Sequence, residues 1–443
     1  MIVPIGWYGA DFGNPDTSTR DAHNFVEAAF TKSAGDGAQI RWRVYYDQYR
    51  YYGRYDYTAD GVTADYRDYA LGDWLGTQFA YRRAFGGWGN FTIGTQANLD
   101  LRNVQISEQV SPDFDRYRET RQPDRSYGVF GQYERNLGKN WVLFAGMRFD
   151  DSRIQQPFVS PKLAAVWQAS QDTSYKLMYG RAFRNPSTFE RYYEPNPLLE
   201  AETMNTFEVS REQRIYNRVD LTASVFHYRI AGLIEGVPLE DEQLQYRNVS
   251  SSRARGFELE ASGHPASWLE TSASVSFYKA ENADSQQALP NSPARMGHFR
   301  ASLPLANNRL IVSAAARYLS SRLSPYGYRV DPVVLADVTA TTSRLHRNFD
   351  LQFGVRNIAD RRYVDPLSTE HLIEVLPRAG RSAFVQAPLA LWRVDSALLC
   401  RHFADNNKLG SPAGPCHVRE CGRRRRAAAE PGAGGQECPP AGF

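Results

Sequence analysis

Six short polar turns, at Ser33 to Gly37, Asn136 to Asn140, Ala169 to Thr173, Gln213 to Arg218, Pro304 to Asn308 and Leu345 to Asn348, each separate two amphipathic runs of roughly ten residues. Between these hairpins lie long connections rich in Tyr, Arg, Asp and Pro: Tyr51 to Tyr66, Asn103 to Pro123, Arg184 to Glu202 and Leu323 to Pro332. A run of that length with period-two alternation crosses a bilayer as a tilted strand, and in lipid every backbone group must be paired, which only a closed sheet achieves. The pattern predicts an all-β fold, a transmembrane antiparallel β-barrel with short turns at one end and long loops at the other.

The clearest run is Phe349 to Arg356, where Phe349, Leu351, Phe353 and Val355 share one face and polar residues or glycine fill the other. Phe91, Ile93, Ala97, Leu99 and Leu101 alternate with Thr92, Gly94, Gln96, Asn98, Asp100 and Arg102 in the same way. Further apolar faces are Tyr175/Leu177/Tyr179, Phe257/Leu259/Ala261, Leu269/Ala273/Val275/Phe277 and Val334/Ala336/Val338/Ala340. From Val219 to Ile230 the apolar set shifts from Leu221, Ala223 and Val225 to Phe226, Tyr228 and Ile230, which either a β-bulge or a different register produces. Trp88, Trp141 and Trp268 each follow a short turn, where an indole would sit at headgroup depth. The runs number about 17, and bacterial single-chain barrels use an even number of strands. An incomplete barrel is therefore expected.

No window holds the roughly 18 consecutive apolar residues of a spanning helix. The mean hydropathy of −0.53, with 26 Tyr, 23 Phe and 8 Trp, fits strands that show lipid only every second residue and aromatic girdles at both interfaces. The net charge of +3 arises from Ala387 to Phe443, which holds 8 of the 52 Lys/Arg and 5 of the 49 Asp/Glu and leaves 44 of each sign before it. A balanced body argues against nucleic-acid binding. Residues 387–443 also contain all four cysteines (Cys400, Cys416, Cys421, Cys438), the run Arg423 to Arg426, and no alternation. The chain thus divides into a barrel body, 1–386, and a disordered or out-of-frame tail, 387–443. Met1 to Ile5 shows no basic n-region or apolar core, so no signal peptide is expected here.

Several stretches together resemble the barrel domain of TonB-dependent outer-membrane receptors. They are Tyr179-Gly180-Arg181-Ala182-Phe183-Arg184-Asn185-Pro186-Ser187, Asn196-Pro197-Leu198-Leu199-Glu200-Ala201-Glu202 through Glu208, Tyr246-Arg247-Asn248-Val249 leading to Gly256-Phe257-Glu258-Leu259-Glu260, Gly354-Val355-Arg356-Asn357-Ile358-Ala359-Asp360 through Tyr363, and Pro377-Arg378-Ala379-Gly380-Arg381. Asn357 and Asp360 suit a turn at a strand end, and Gly256 suits close packing within a strand. The resemblance covers about residues 20 to 386. It implies a 22-stranded barrel, of which this chain would supply about 17 strands without the plug domain. It further implies a location in the outer membrane and uptake of a scarce ligand, above all a ferric siderophore. The implied partners are that ligand, the TonB complex (whose contact box is absent), outer-membrane lipid and the barrel-assembly machinery, with no nucleic acid and no cofactor.

For such a receptor the ligand-contacting residues would be loop aromatics and arginines, which stack on and charge-pair with an anionic chelate. Two clusters qualify: Tyr49, Arg50, Tyr52, Arg54 and Tyr55 in one long connection, and Arg184, Arg191, Tyr192 and Tyr193 in another. No catalytic residues are expected, because the eight histidines are scattered and no nucleophile, zinc or phosphate-loop motif occurs. Cys400, His402, Cys416, His417, Cys421 and Cys438 lack the spacing of a structural zinc site. The rival expectations are a passive porin-like channel and a non-functional remnant of a disrupted receptor gene.

Overall fold

Period-two alternation carries through into one large antiparallel sheet of 18 strands. The computed structural model describes residues 14, 16–35, 37–59, 61–192, 194–239, 244–342, 349–368 and 373–387. In chain order the strands are β1 (Ser18–Ser33), β2 (Ala38–Ala59), β3 (Val62–Ala84), β4 (Asn90–Ser111), β5 (Asp115–Arg121), β6 (Arg125–Leu137), β7 (Trp141–Ser152) and β8 (Phe158–Ser170). They continue as β9 (Thr173–Arg184), β10 (Glu202–Ile215), β11 (Val219–Pro238), β12 (Leu244–Ala266), β13 (Leu269–Asn282), β14 (Arg295–Leu305) and β15 (Leu310–Leu319). The last are β16 (Arg322–Leu323), β17 (Arg329–Val330), β18 (Val333–Thr342), β19 (Gln352–Arg356), β20 (Val364–Pro366), β21 (Val375–Pro377) and β22 (Ser382–Gln386). β16 pairs with β17 and β20 with β21 as two small hairpins outside the main sheet.

Each main strand pairs with its neighbour in sequence, an up-and-down meander. β5 is the exception, lying on the outer half of β4 while β6 takes the half nearer the short turns. Setting β5 aside leaves 17 positions around the sheet, and a strand stands at every place where the sequence showed a run. Among the described residues β1 pairs only with β2 and β22 only with β19, so the sheet is not closed on itself.

One face of the sheet is aliphatic and aromatic. On β7 exposure alternates residue by residue, with Trp141, Leu143, Met147 and Phe149 on the open side and Phe144, Gly146, Arg148 and Asp150 on the other. Leu177, Phe207, Val225 and Phe257 continue the open side across the neighbouring strands. In water such a surface would be a large apolar patch, and its natural solvent is lipid. Trp88, Trp141 and Trp268 are all exposed beside short turns, as their positions implied. No helix among the described residues is long and apolar enough to cross a membrane.

Several expectations need correction. Tyr51 to Tyr66 is no loop: β2 and β3 stay paired without a break from Ala38 opposite Arg83 to Ala59 opposite Val62, because an amphipathic hairpin continues its ladder past the bilayer. Asn103 to Pro123 is likewise mostly strand, in β4 and β5, and Leu323 to Pro332 holds most of a small hairpin. β11 has no bulge between Val219 and Ala231. Its register breaks afterwards, around Gly232. Phe226 and Tyr228 are large aromatics on the inner face, their rings stacked at 4.6 Å. The final strand begins only at Ser382, after the Pro377 to Arg381 stretch, and Val375 to Pro377 pairs with β20. Of the expected tail only Ala387 is described, and the Leu345 to Asn348 turn also lies outside the described residues.

Asn357 and Asp360 adopt φ of 49° and 52°, the left-handed region their short polar side chains tolerate. Gly256 sits under the stacked aromatics: a Cβ there would come within 2.6 Å of the Phe277 carbonyl oxygen and 2.8 Å of the Phe226 ring. Gly256→Ala should therefore cost about 1–3 kcal/mol through overpacking. A matching drop in the urea midpoint of the refolded protein would bear this out, and an unchanged midpoint would refute it.

Candidate functional site: the loop end of the sheet

About 9–11 tilted residues cross a bilayer, so β2 and β3, at 22 and 23 residues, project well beyond it at the loop end. The face of each residue on β2 follows from its unbroken register. Trp42 and Tyr46 pair with the lipid-facing Phe79 and Leu75, which puts the even-numbered residues of this strand outside. Arg50, Tyr52 and Arg54 therefore stand on the outer wall, whereas Tyr49 and Tyr55 face inward.

The outer-wall arginines are committed to neighbouring carboxylates. Arg50 donates to both oxygens of Asp73, at 2.8 and 3.0 Å, and to the carbonyls of Tyr49 and Gly72. Arg102 and Tyr46 donate to the same buried Asp73, at 2.5 and 2.9 Å. Arg54 lies 3.5 Å from Asp56 and 3.4 Å from Asp65. Tyr52 packs against Tyr69 at 5.4 Å between ring centroids. Inside, the Tyr49 hydroxyl donates to Asp21 at 2.5 Å. Tyr55 is buried with its hydroxyl on that of Tyr51, and burial pushes both phenols above the ordinary tyrosine range, so both stay neutral.

The second cluster is anchored by Arg184, the last residue of β9. Its guanidinium forks onto Glu190 at 2.9 and 3.0 Å and onto Glu202, the first residue of β10, at 2.6 and 2.8 Å. Between them Ser187 caps the short helix α1 (Thr188–Tyr192): the Ser187 hydroxyl accepts from the Glu190 N–H, and the Glu190 carboxylate accepts from the Ser187 N–H. Arg191 donates to the carbonyl of buried Leu199 at 2.9 Å. Tyr192 closes the helix, and Tyr193 lies outside the described residues.

This loop is tied down on both sides. Asn103 of β4 donates to Thr188 at 2.9 Å, and Arg118 of β5 pairs with Glu194 at 3.4 Å. Toward β12, Asn196 donates to the Tyr246 carbonyl, while Asn248 exchanges hydrogen bonds with the Glu200 backbone and donates to the Gly232 carbonyl. A cleft of about 210 Å³ opens where the loop meets the inner wall, lined by Tyr49, Trp74, Asp100, Asn103 and Phe189 among others. Of the sequence-selected residues, Tyr49 alone lines it, and the arginines of both clusters serve as braces. Trp74, Asn103 and Phe189 were missed. Only the Ser187-Thr188-Phe189-Glu190 capping box was a usable sequence signal for this site.

The cleft offers ring faces, a phenol, amides, hydroxyls, a carboxylate and the Arg102 guanidinium, a set suited to stacking on and hydrogen-bonding a flat or aromatic ligand. Among the described residues no group of three or more His, Cys, Asp and Glu is placed to hold a metal ion.

Known proteins resemble this chain along most of its length. The family model described as TonB dependent receptor-like, beta-barrel matches residues 4–358. Heme/hemopexin utilization protein C of Haemophilus influenzae (strain 86-028NP) is 24% identical over 297 residues, covering 57% of this chain and 41% of that protein. The probable TonB-dependent siderophore receptor PiuA of Acinetobacter baumannii is 22% identical over 327 residues, covering 62% and 41%. The chain thus spans about two fifths of the length of these curated relatives. Among solved structures, the siderophore receptor PiuA from Acinetobacter baumannii superimposes with a TM-score of 0.68 at 16% identity, over 84% of this chain and 64% of that one. The pyoverdine receptor FpvA from Pseudomonas aeruginosa gives 0.70 at 14% identity, over 85% and 62%. At these identities the structural likeness speaks for the fold, and the family model, matched over well more than half the chain, decides membership. By that match, and by a strand meander with a lipid-type outer face, the chain belongs to the TonB-dependent receptor family through its β-barrel domain.

Proposed function

We propose that this chain forms the wall and outer mouth of an outer-membrane receptor that binds an iron complex, a ferric siderophore in the first instance, for TonB-driven uptake. The observation that carries the reading is the family match along residues 4–358, since the family resides in the outer membrane and its members bind siderophore or heme ligands. The cleft at Tyr49, Trp74 and Phe189 supports it by presenting aromatic faces at the loop end. The relative named for heme/hemopexin utilization makes heme the second candidate ligand.

Titrating the refolded full-length chain with a ferric tris-catecholate, a ferric tris-hydroxamate and hemin, while following tryptophan fluorescence, tests the proposal. Saturable quenching by one of these, weakened at least about tenfold in Trp74→Ala by loss of a stacking partner, is the expected result. Steady ion conductance in a planar bilayer with no saturable binding would instead establish a passive channel. Neither binding nor conductance would leave the remnant reading.

A further inference from the structure

Arginine is costly on a lipid-facing strand position except near the interface, where headgroups reach it. Three arginines hold such positions at the short-turn end. Arg83 pairs in register with Phe91, Arg135 with Leu143 and Arg211 with Tyr175, so each shares the lipid-facing side of the sheet. Each guanidinium lies over an aromatic ring: Arg83 over Phe85 at 5.2 Å, Arg135 over Trp88 at 5.4 Å and Arg211 over Tyr175 at 5.9 Å. Among the described residues none of the three forms an ion pair, whereas Arg50, Arg102 and Arg184 at the loop end all do. Arg211 donates to the neutral Gln213 amide oxygen at 3.0 Å. Beside it Trp141 stacks on Trp167 at 5.7 Å and Trp167 on Tyr175 at 5.3 Å, so an aromatic row crosses β7, β8 and β9 and ends on Arg211.

We propose that this arginine–aromatic belt is a binding surface for anionic phospholipid of the leaflet at the short-turn end. The planar guanidinium fork matches two phosphate oxygens, and stacking on a ring holds it in place while leaving its outer edge open. The aromatic row beneath supplies an apolar, interface-seeking floor for the glycerol and upper acyl chain. A basic residue near a membrane surface contributes about 1 kcal/mol toward an anionic headgroup, or about fivefold preference per arginine. The inference requires the sheet to sit in a bilayer and does not depend on what the receptor transports.

The test uses the full chain refolded into phosphatidylcholine vesicles that contain a minority of brominated phosphatidylglycerol or brominated phosphatidylcholine. Quenching by the brominated phosphatidylcholine reports insertion itself. In the wild type, phosphatidylglycerol should quench tryptophan fluorescence about fivefold more effectively per molecule, and in the Arg83→Gln/Arg135→Gln/Arg211→Gln variant the two lipids should quench equally. Equal quenching in the wild type, including none, overturns the proposal, as does a preference that survives in the variant. Loss of the preference when inorganic phosphate is added at the lipid's concentration would make the free ion the ligand and overturn it too.

Discussion

Leu177→Arg should destabilise the refolded protein in vesicles by about 2–4 kcal/mol, the cost of an arginine near the middle of a lipid-facing strand. Leu177 lies in the middle of β9, 57% exposed on the aliphatic face, with Ala165 and Val209 as register partners. The guanidinium would have to shed water or distort the bilayer, and neither neighbour offers it a partner. Met178 is adjacent but points to the inner face, opposite Glu208. Met178→Arg should therefore change stability by less than about 1 kcal/mol, because its charge meets a carboxylate in a polar surrounding. Urea titrations followed by tryptophan fluorescence would separate the two. Equal costs, or the larger cost at Met178, would mean that the inner and outer faces have been assigned the wrong way round.

Arg184→Met carries the second large effect. Arg184 joins the end of β9, the helix α1 and the start of β10, and the Glu202 carboxylate it holds also accepts the Ile234 N–H of β11 at 2.9 Å. Without the guanidinium two mostly buried carboxylates lose their counter-charge, while Arg184 itself is about half exposed, which softens the penalty to about 2–3 kcal/mol of local stability. Hydrogen exchange at Ile234 and along α1 should then accelerate by about 30-fold or more. Arg214→Met removes an ion pair with Asp220 in which both groups are exposed, and should leave exchange almost unchanged. Unaltered protection in Arg184→Met would show that the loop is held by its Asn103, Asn196 and Asn248 contacts instead.

The same lock carries a pH signature. Hydrogen bonding from Arg184 holds the Glu202 carboxyl below the usual glutamate range, and for Glu190 the bonds from Arg184 and Ser187 outweigh the opposing effect of burial. Both folded-state values are depressed, so the stabilisation is fully present above the ordinary glutamate range and is lost as pH falls through the depressed values. Loop protection should be flat near neutrality and weaken only in acid, and the acid-dependent step should vanish in Arg184→Met.

Which segments form strands, and which side of each meets lipid, was plain from residues alone wherever solvent imposes a rule on every second position. Lipid on one side of a strand demands an apolar row, and so Leu177, Phe257, Val334 and Phe353 announced their strands and faces. Turn chemistry acts just as locally: Asn357 and Asp360 bend at positive φ, and Gly256 yields to the rings beside it. Where neither rule applies, sequence reading went astray. Beyond the bilayer no lipid enforces the alternation, so the Tyr- and Arg-rich ladder of β2 and β3 read as a loop. On the inner face of β11 an aromatic pair filling the lumen wall looked like a break in register.

The candidate site shows the limit most sharply. Tyr49 and Arg50 are neighbours in sequence, yet strand geometry sends one into the cleft and the other to Asp73 on the outer wall. Asn103 and Thr188 are 85 residues apart and meet only because a loop from β9 is folded back against β4. By itself the sequence determined the 17 strands of the meander, the lipid face and the family, all consequences of short-range periodicity, turn residues and a handful of local motifs, but not β5 or the two small hairpins. Which arginines brace the wall, which aromatic rings line the mouth and where the loop docks were decided by tertiary structure, because pairing of charges and rings across distant strands has no local signature.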